Sequence, residues 1–125
     1  MKKAIQIPGA PAPIGPYSQA IVSGDTVYVS GQIPLNPFTG ELEVGSIEEA
    51  THRILKNIET LLKECEMTLG NIVKCSIFMT DLGQFSEMNA VYGSYFQDVP
   101  PARETVQVSK LPMNVPIEIS CIAVK

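Results

Sequence analysis

Two charged residues stand where the surrounding pattern is apolar, and chemistry could start there. Arg103 follows Pro100-Pro101-Ala102 and opens a strand in which Val106 and Val108 face one way, with Arg103, Thr105 and Gln107 facing the other. An arginine on a sheet surface offers a rigid, planar fork that matches a carboxylate. The same pattern also suits an edge-of-sheet arginine paired with a surface glutamate. Glu118 lies between Ile117 and Ile119, in a strand whose other alternating positions, Ile122 and Val124, are also apolar. A carboxylate in that setting stands at the mouth of the sheet or has a partner. It reads either as half of a structural ion pair or as an acid/base group whose pKa its surroundings shift. Two further polar groups sit in apolar company. Asn89 lies on the apolar face of a helix, four residues after Phe85 and three before Tyr92; its amide can bond to backbone or point into a site. Tyr17 follows a Gly-Pro turn at the start of a strand, a common place for a phenol that only packs.

Other catalytic equipment is sparse. His52 is the only histidine, and it falls off the apolar stripe of its helix, as a solvated residue would. With one histidine and dispersed cysteines, no zinc or iron site assembles by the usual spacing rules. A Ser-His-Asp or Cys-His arrangement would have to use His52. Gly24 and Gly31 sit in or beside strands without the strand–loop–helix context of a phosphate loop. The expectation is a protein without cofactor or metal. Cys65, Cys75 and Cys121 are odd in number and contain no C-x-x-C, which favours reduced thiols, two of them in core positions.

The elements that must position these residues follow from periodicity and punctuation. Pro8 to Pro16 carries four prolines and reads as an extended lead-in. Tyr17 to Val22 and Val27 to Ile33 form a hairpin about Ser23-Gly24-Asp25-Thr26. Pro34 to Gly45 is a loop. Ser46-Ile47-Glu48-Glu49 has the form of a capping box, and the stripe Ala50, Ile54, Ile58, Leu61, Leu62, Cys65 predicts a helix from Ile47 to about Glu66. Ile72 to Thr80 is a strand. Asp81 is the expected N-cap of a second helix with Phe85, Met88, Asn89, Tyr92 and Phe96 on one face. Two strands follow, about Arg103 to Ser109 and Pro116 to Val124, joined by Lys110 to Val115. The order ββαβαββ predicts an α+β two-layer sandwich, with two helices on one face of a mostly antiparallel sheet.

The chain has 125 residues, the span of one domain covering 1–125. Its hydrophobic content of 45% predicts a packed core, and at this size hints at buried subunit faces. A formal net charge of −4 and scattered Lys and Arg argue against a nucleic-acid partner. No apolar run is long enough for a signal peptide or a membrane span, so the expected location is cytoplasmic, without a membrane partner.

Several segments together resemble the RidA/YjgF family. Ile14-Gly15-Pro16-Tyr17-Ser18-Gln19-Ala20 and Ser30-Gly31-Gln32-Ile33-Pro34 are similar to its two N-terminal signatures. Asn89-Ala90-Val91-Tyr92 is similar to the signature on its second helix. Pro101-Ala102-Arg103, followed by Pro116-Ile117-Glu118-Ile119-Ser120-Cys121-Ile122-Ala123-Val124, is similar to the C-terminal one, and Asn36-Pro37-Phe38-Thr39-Gly40 fits its loop. The motifs occur in order along the whole chain. The resemblance implies a chorismate-mutase-like fold and a homotrimer with active sites at subunit interfaces. The implied activity is hydrolytic deamination of reactive 2-imino acids (2-iminobutanoate, 2-iminopropanoate) to 2-keto acids and ammonia. It further implies that Arg103 grips the substrate carboxylate and Glu118 positions or activates water, while Tyr17, Ser30, Gly31 and Asn89 shape the pocket. Thr105 stands where active deaminases of the family carry Cys, a contact made largely through the backbone carbonyl. Two other readings are a non-catalytic, regulatory trimer that binds small keto acids, and an endoribonuclease or translation inhibitor.

Overall fold

The computed structural model describes residues 1–125. The strands are β1 (Lys2–Ile5), β2 (Ala20–Ser23), β3 (Thr26–Gln32), β4 (Ile72–Met79), β5 (Ala102–Gln107) and β6 (Ile117–Val124), and the helices are α1 (Ile47–Lys63) and α2 (Phe85–Tyr95). All six strands join one sheet in the order β1-β2-β3-β6-β4-β5. Every neighbouring pair is antiparallel except β4 and β5, which run parallel because α2 carries the chain back between them. The expected sandwich of two helices on a mostly antiparallel sheet is therefore present, and the ββαβαββ series is preceded by one further strand. β1 carries little apolar alternation, and Lys2, Lys3 and Ala4 are exposed. Its place is fixed by backbone pairing with β2 and by Gln19, whose Oε1 accepts the Ile7 N–H at 2.8 Å just beyond the strand.

Strict alternation in the central strands builds the core. On β6, Ile117, Ile119, Cys121 and Ala123 are buried under the helices; on β4, Cys75, Ile77 and Met79 do the same. Side chains alternate along a strand, so Glu118, Ser120 and Ile122 must face the side without helices. Cys75 and Cys121 are register partners within this core, Cys65 is half-buried, and all three are free thiols.

α1 lays Ile47, Ala50, Ile54, Leu55, Ile58, Leu61 and Leu62 on the sheet, each isoleucine or leucine contributing about 1.5–3 kcal/mol by burial. Ser46 caps it as expected, its hydroxyl accepting the Glu49 N–H at 3.0 Å. The Glu49 carboxylate instead reaches the Gly45 N–H (3.3 Å), so the reciprocal half of the box is made one residue earlier than the motif predicts. The helix ends at Lys63 rather than near Glu66. Glu66 turns left-handed (φ 58°), and the N–H groups of Glu66 and Met67 return to the carbonyls of Lys63 and Leu62. Asp81 also caps a different element from the one expected. It accepts the Gly83 N–H and closes a short 3-10 turn, Leu82–Gln84, before α2 begins. Met88, Tyr92 and Phe96 are buried from this region, whereas Phe85 and Asn89 are exposed at its edge. No helix is long and apolar enough to cross a membrane.

The loop between β3 and α1 is tied to the helix by polar contacts. Asn36 Oδ1 accepts the N–H groups of Phe38 and Thr39, and its Nδ2 donates to Glu43 (3.0 Å). Arg53 Nε contacts the other oxygen of Glu43 at 3.2 Å. The Asn36 hydrogen bond, with Arg53 adding to it, holds the Glu43 carboxyl below its ordinary pKa. Asn57, buried on α1, donates to the Leu35 carbonyl at 2.9 Å. Replacing Asn57 with Ala should cost about 1–3 kcal/mol, because that carbonyl loses its partner. Urea unfolding should show a lower midpoint at unchanged slope; an unchanged midpoint would mean that water replaces the amide at no cost.

Candidate functional site

The seven residues singled out from the sequence fall into two groups, built from different parts of the sheet. The first lies at the β5 edge. Arg103 is the register partner of Cys75, so its side chain projects from the helix-covered face, toward α2. Its Nη1 donates to Asn89 Oδ1 at 2.8 Å. Its Cζ stands 4.9 Å from the Tyr92 ring centroid and 5.6 Å from that of Phe85. Asn89, Tyr92, Gly93, Phe96, Pro100, Pro101 and Arg103 line a cleft of about 330 Å³. Neither bland reading holds for this group: the chain's ion pairs use Arg53, Lys56 and Lys74, leaving Arg103 without a carboxylate. Glu104, its neighbour in sequence, projects from the other face and takes Lys74 instead (2.9 Å). Asn89 serves Arg103 rather than backbone. Thr105 faces the helices two positions on, and its hydroxyl is buried without a hydrogen-bond partner.

The second group surrounds Glu118, on the helix-free face. The β3–β6 register slips between Val29 and Gln32, and this bulge presents Gly31 to the Glu118 carboxylate. A Cβ at Gly31 would lie 2.5 Å from Glu118 Oε2 and 2.6 Å from Cδ, so only glycine fits beneath the carboxylate as it stands. Ser30 locks the bulge, its hydroxyl donating to the Ser18 carbonyl at 2.6 Å and its N–H to the Gln19 carbonyl. Tyr17 immediately precedes Ser18. It is exposed and lines a shallow cleft of about 340 Å³ with Ala4, Gln6, Pro13, Ser18 and Gln19. Glu118 enters no ion pair, and burial alone raises its pKa above the ordinary 4.5.

Within one chain the groups do not converge. Arg103 shares a row with Cys75 on β4, and Glu118 shares one with Phe78. The two side chains leave opposite faces of the sheet. They are also offset by three positions along β4, about 10 Å at the rise of a strand.

The sequence pointed to the residues that hold charge but missed what holds them. Phe85 and Tyr92 were legible only as an apolar helix face, although their spacing from Asn89 was itself the signal. His52, read as solvated, is exposed and bonds the Tyr95 hydroxyl (2.8 Å), remote from both groups in its contacts.

The Gly31–Glu118 contact has a direct test. Gly31→Ala should push the untethered Glu118 carboxylate aside and destabilise the fold by about 0.5–1 kcal/mol, below the usual cost of overpacking a core. In an E118A background the same substitution should cost much less, since the atoms it meets are gone. Equal costs in both backgrounds would show that the glycine answers to the bulge alone.

Comparison with known proteins bears on this arrangement. The family model described as Endoribonuclease L-PSP matches residues 8–125. A RutC family protein of Pyrococcus abyssi is 47% identical over 124 residues, spanning 99% of this chain and 98% of its own. A 2-iminobutanoate/2-iminopropanoate deaminase of Mus musculus is 40% identical over 125 residues, spanning 100% of this chain and 93% of its own. The crystal structure of E. coli TdcF with bound serine matches with a TM-score of 0.92 at 38% identity, covering 98% of each chain. With one family model over nearly its whole length, and full-length relatives that share its sequence and its fold, this chain belongs to the YjgF/RidA (Rid) family.

Proposed function

We propose that this protein hydrolyses small reactive enamines and imines, taking 2-imino acids such as 2-iminobutanoate and 2-iminopropanoate to 2-keto acids and ammonia. The observation that carries the reading is Arg103, a guanidinium held in place by Asn89 and two aromatic rings yet paired with no carboxylate. A fixed, unneutralised fork at the mouth of a cleft suits a small carboxylate ligand. The full-length similarity to a deaminase acting on such imines supports the same substrate class.

The chemistry asks little of the protein. An imine carbon beside a carboxylate is already electrophilic, so orientation and a proton carrier suffice. Arg103 holds the carboxylate. Glu118 takes a proton from water as the water oxygen bonds to the imine carbon, and passes it to the nitrogen to give the carbinolamine. Glu118 then carries the hydroxyl proton to the amine nitrogen as the C–N bond breaks, which leaves the keto acid and releases ammonia. Burial, which raises the Glu118 pKa, favours this proton-accepting role. Tyr17, Ser30, Gly31, Asn89 and Thr105 shape the pocket around the reacting atoms.

Arg103 and Glu118 leave opposite faces of one chain, so this reading needs a site shared between copies, and we assign the protein to a homotrimer with sites at its subunit interfaces. The helix-free face supports that assembly. It carries two apolar cross-strand pairs, Tyr28 with Ile122 and Phe78 with Val106, and of these Tyr28 and Val106 are exposed. The description of the family model favours a second reading, an endoribonuclease. A net charge of −4 and one histidine count against it, and an RNA-cleavage assay at physiological salt separates the two.

Sedimentation equilibrium should give three times the chain mass of 13.6 kDa; a monomer at micromolar concentration would remove the shared site. In a coupled assay, where a dehydratase makes the imine in situ, Arg103→Lys should lose both turnover and 2-ketobutyrate binding. The loss should be about 2–5 kcal/mol, since an ammonium lacks the paired planar donors. Glu118→Gln should keep or improve 2-ketobutyrate affinity while hydrolysis falls on the order of 10²-fold. Parental turnover by Glu118→Gln would make Glu118 structural, and binding without turnover in the parent would leave a regulatory keto-acid trimer.

A further inference from the structure

Arg103 carries the carboxylate grip in the reading above, but nothing in its own strand holds the side chain. β5 is the last strand of the sheet, and the only hydrogen bond made by the Arg103 guanidinium is the one from Nη1 to Asn89. A long side chain at a sheet edge, tethered by one neutral hydrogen bond, would sample many rotamers, and binding would have to offset that entropy. The rest of the constraint comes from α2. Phe85, Asn89 and Tyr92 follow one another at intervals of four and three residues, which stacks them on one stripe of a helix. That stripe presents a ring, an amide oxygen and a second ring, and all three meet the same guanidinium. The Tyr92 ring is itself fixed. It is buried, and it packs on Phe96 at a centroid separation of 4.7 Å.

We propose that Tyr92 and Phe85 are positioning residues, the aromatic walls of a socket that holds the Arg103 guanidinium in one orientation, with Asn89 occupying Nη1 and the Nε–Nη2 edge left for the substrate carboxylate. The proposal rests on the reading of Arg103 as the carboxylate grip, and it adds two residues and the edge used. The Tyr92 ring is the working part. Its hydroxyl is buried without a hydrogen-bond partner and lies toward the Cys75 thiol, in the core rather than at the cleft. Cation–π contact with a partly desolvated guanidinium is favourable whichever ring supplies the face, so phenylalanine can replace tyrosine here and leucine cannot.

The test uses the full-length protein with Tyr92→Phe, Tyr92→Leu and Phe85→Leu, each also combined with Arg103→Lys. Calorimetric titration with 2-ketobutyrate should give parental affinity for Tyr92→Phe and a loss of about tenfold for each leucine variant. In the imine assay the leucine variants should raise KM by a similar factor with kcat little changed. In the Arg103→Lys background the same substitutions should have almost no further effect, because the group they position is gone. An equal loss with lysine at 103 would make the rings merely structural and overturn the proposal, as would a Tyr92→Phe loss matching that of Tyr92→Leu. Nitrogen-15 relaxation of the Arg103 Nε–H reads the socket without any ligand. It should be rigid in the parent and in Tyr92→Phe and mobile in both leucine variants, and equal rigidity throughout would also refute the idea. A parent that binds 2-ketobutyrate but leaves imines intact would remove the deaminase reading while the binding and relaxation data still decide the socket.

Discussion

The period-two alternation of β4 and β6 is the constraint from which the rest of this structure follows. These strands are neighbours near the middle of the sheet, and each buries every second side chain under α1 and α2. A slip of one residue in their register would turn Ile117, Ile119 and Ile77 toward the open face and bring Glu118 into the core. A charge there would cost far more than any gain in pairing. The core therefore fixes the register, and the register fixes where the two charged groups point. Glu118 goes to the open face because its neighbours are buried on the other. Arg103, joined to Cys75 through the parallel β4–β5 pairing, is turned toward α2.

The polar groups around each charge show how the fold holds it without neutralising it. Arg103 is flanked by π faces and an amide oxygen, which steady a cation and leave its charge available. Glu118 rests over a glycine in a bulge, with no donor in its own chain. Elsewhere the chain behaves differently. Arg53 is spent on Glu43 to tie a loop, and Lys74 on Glu104 to tie two strands. Those pairs tie structure together, and the two charges whose pattern in the sequence was anomalous enter none of them. An unpaired charge in an apolar setting is destabilising in itself.

Local patterns in the sequence determined most of the elements and the identities of the charged residues. The Ser46 cap and the α1 stripe are local signals, as is the apolar alternation of β6, and each survives intact because helix and strand periodicity act over a few residues. So do Arg103 and Glu118, whose settings are anomalous within a window of five or six residues. Several features had no such signal. β1 joins the sheet by backbone pairing with β2, and only Ile5 of its four side chains is not exposed, too little for an alternation to show. α1 stops early because a left-handed Glu66 closes it, a conformation that glycine would have advertised and glutamate does not. The placement of Arg103 and Glu118 on opposite faces depends on which strand pairs with which and whether the pair is parallel. So does the convergence of Phe85, Asn89 and Tyr92 on Arg103. Those relations join residues distant along the chain, and periodicity, which reports only what lies within a few residues, leaves them for the packing of the whole sheet to decide.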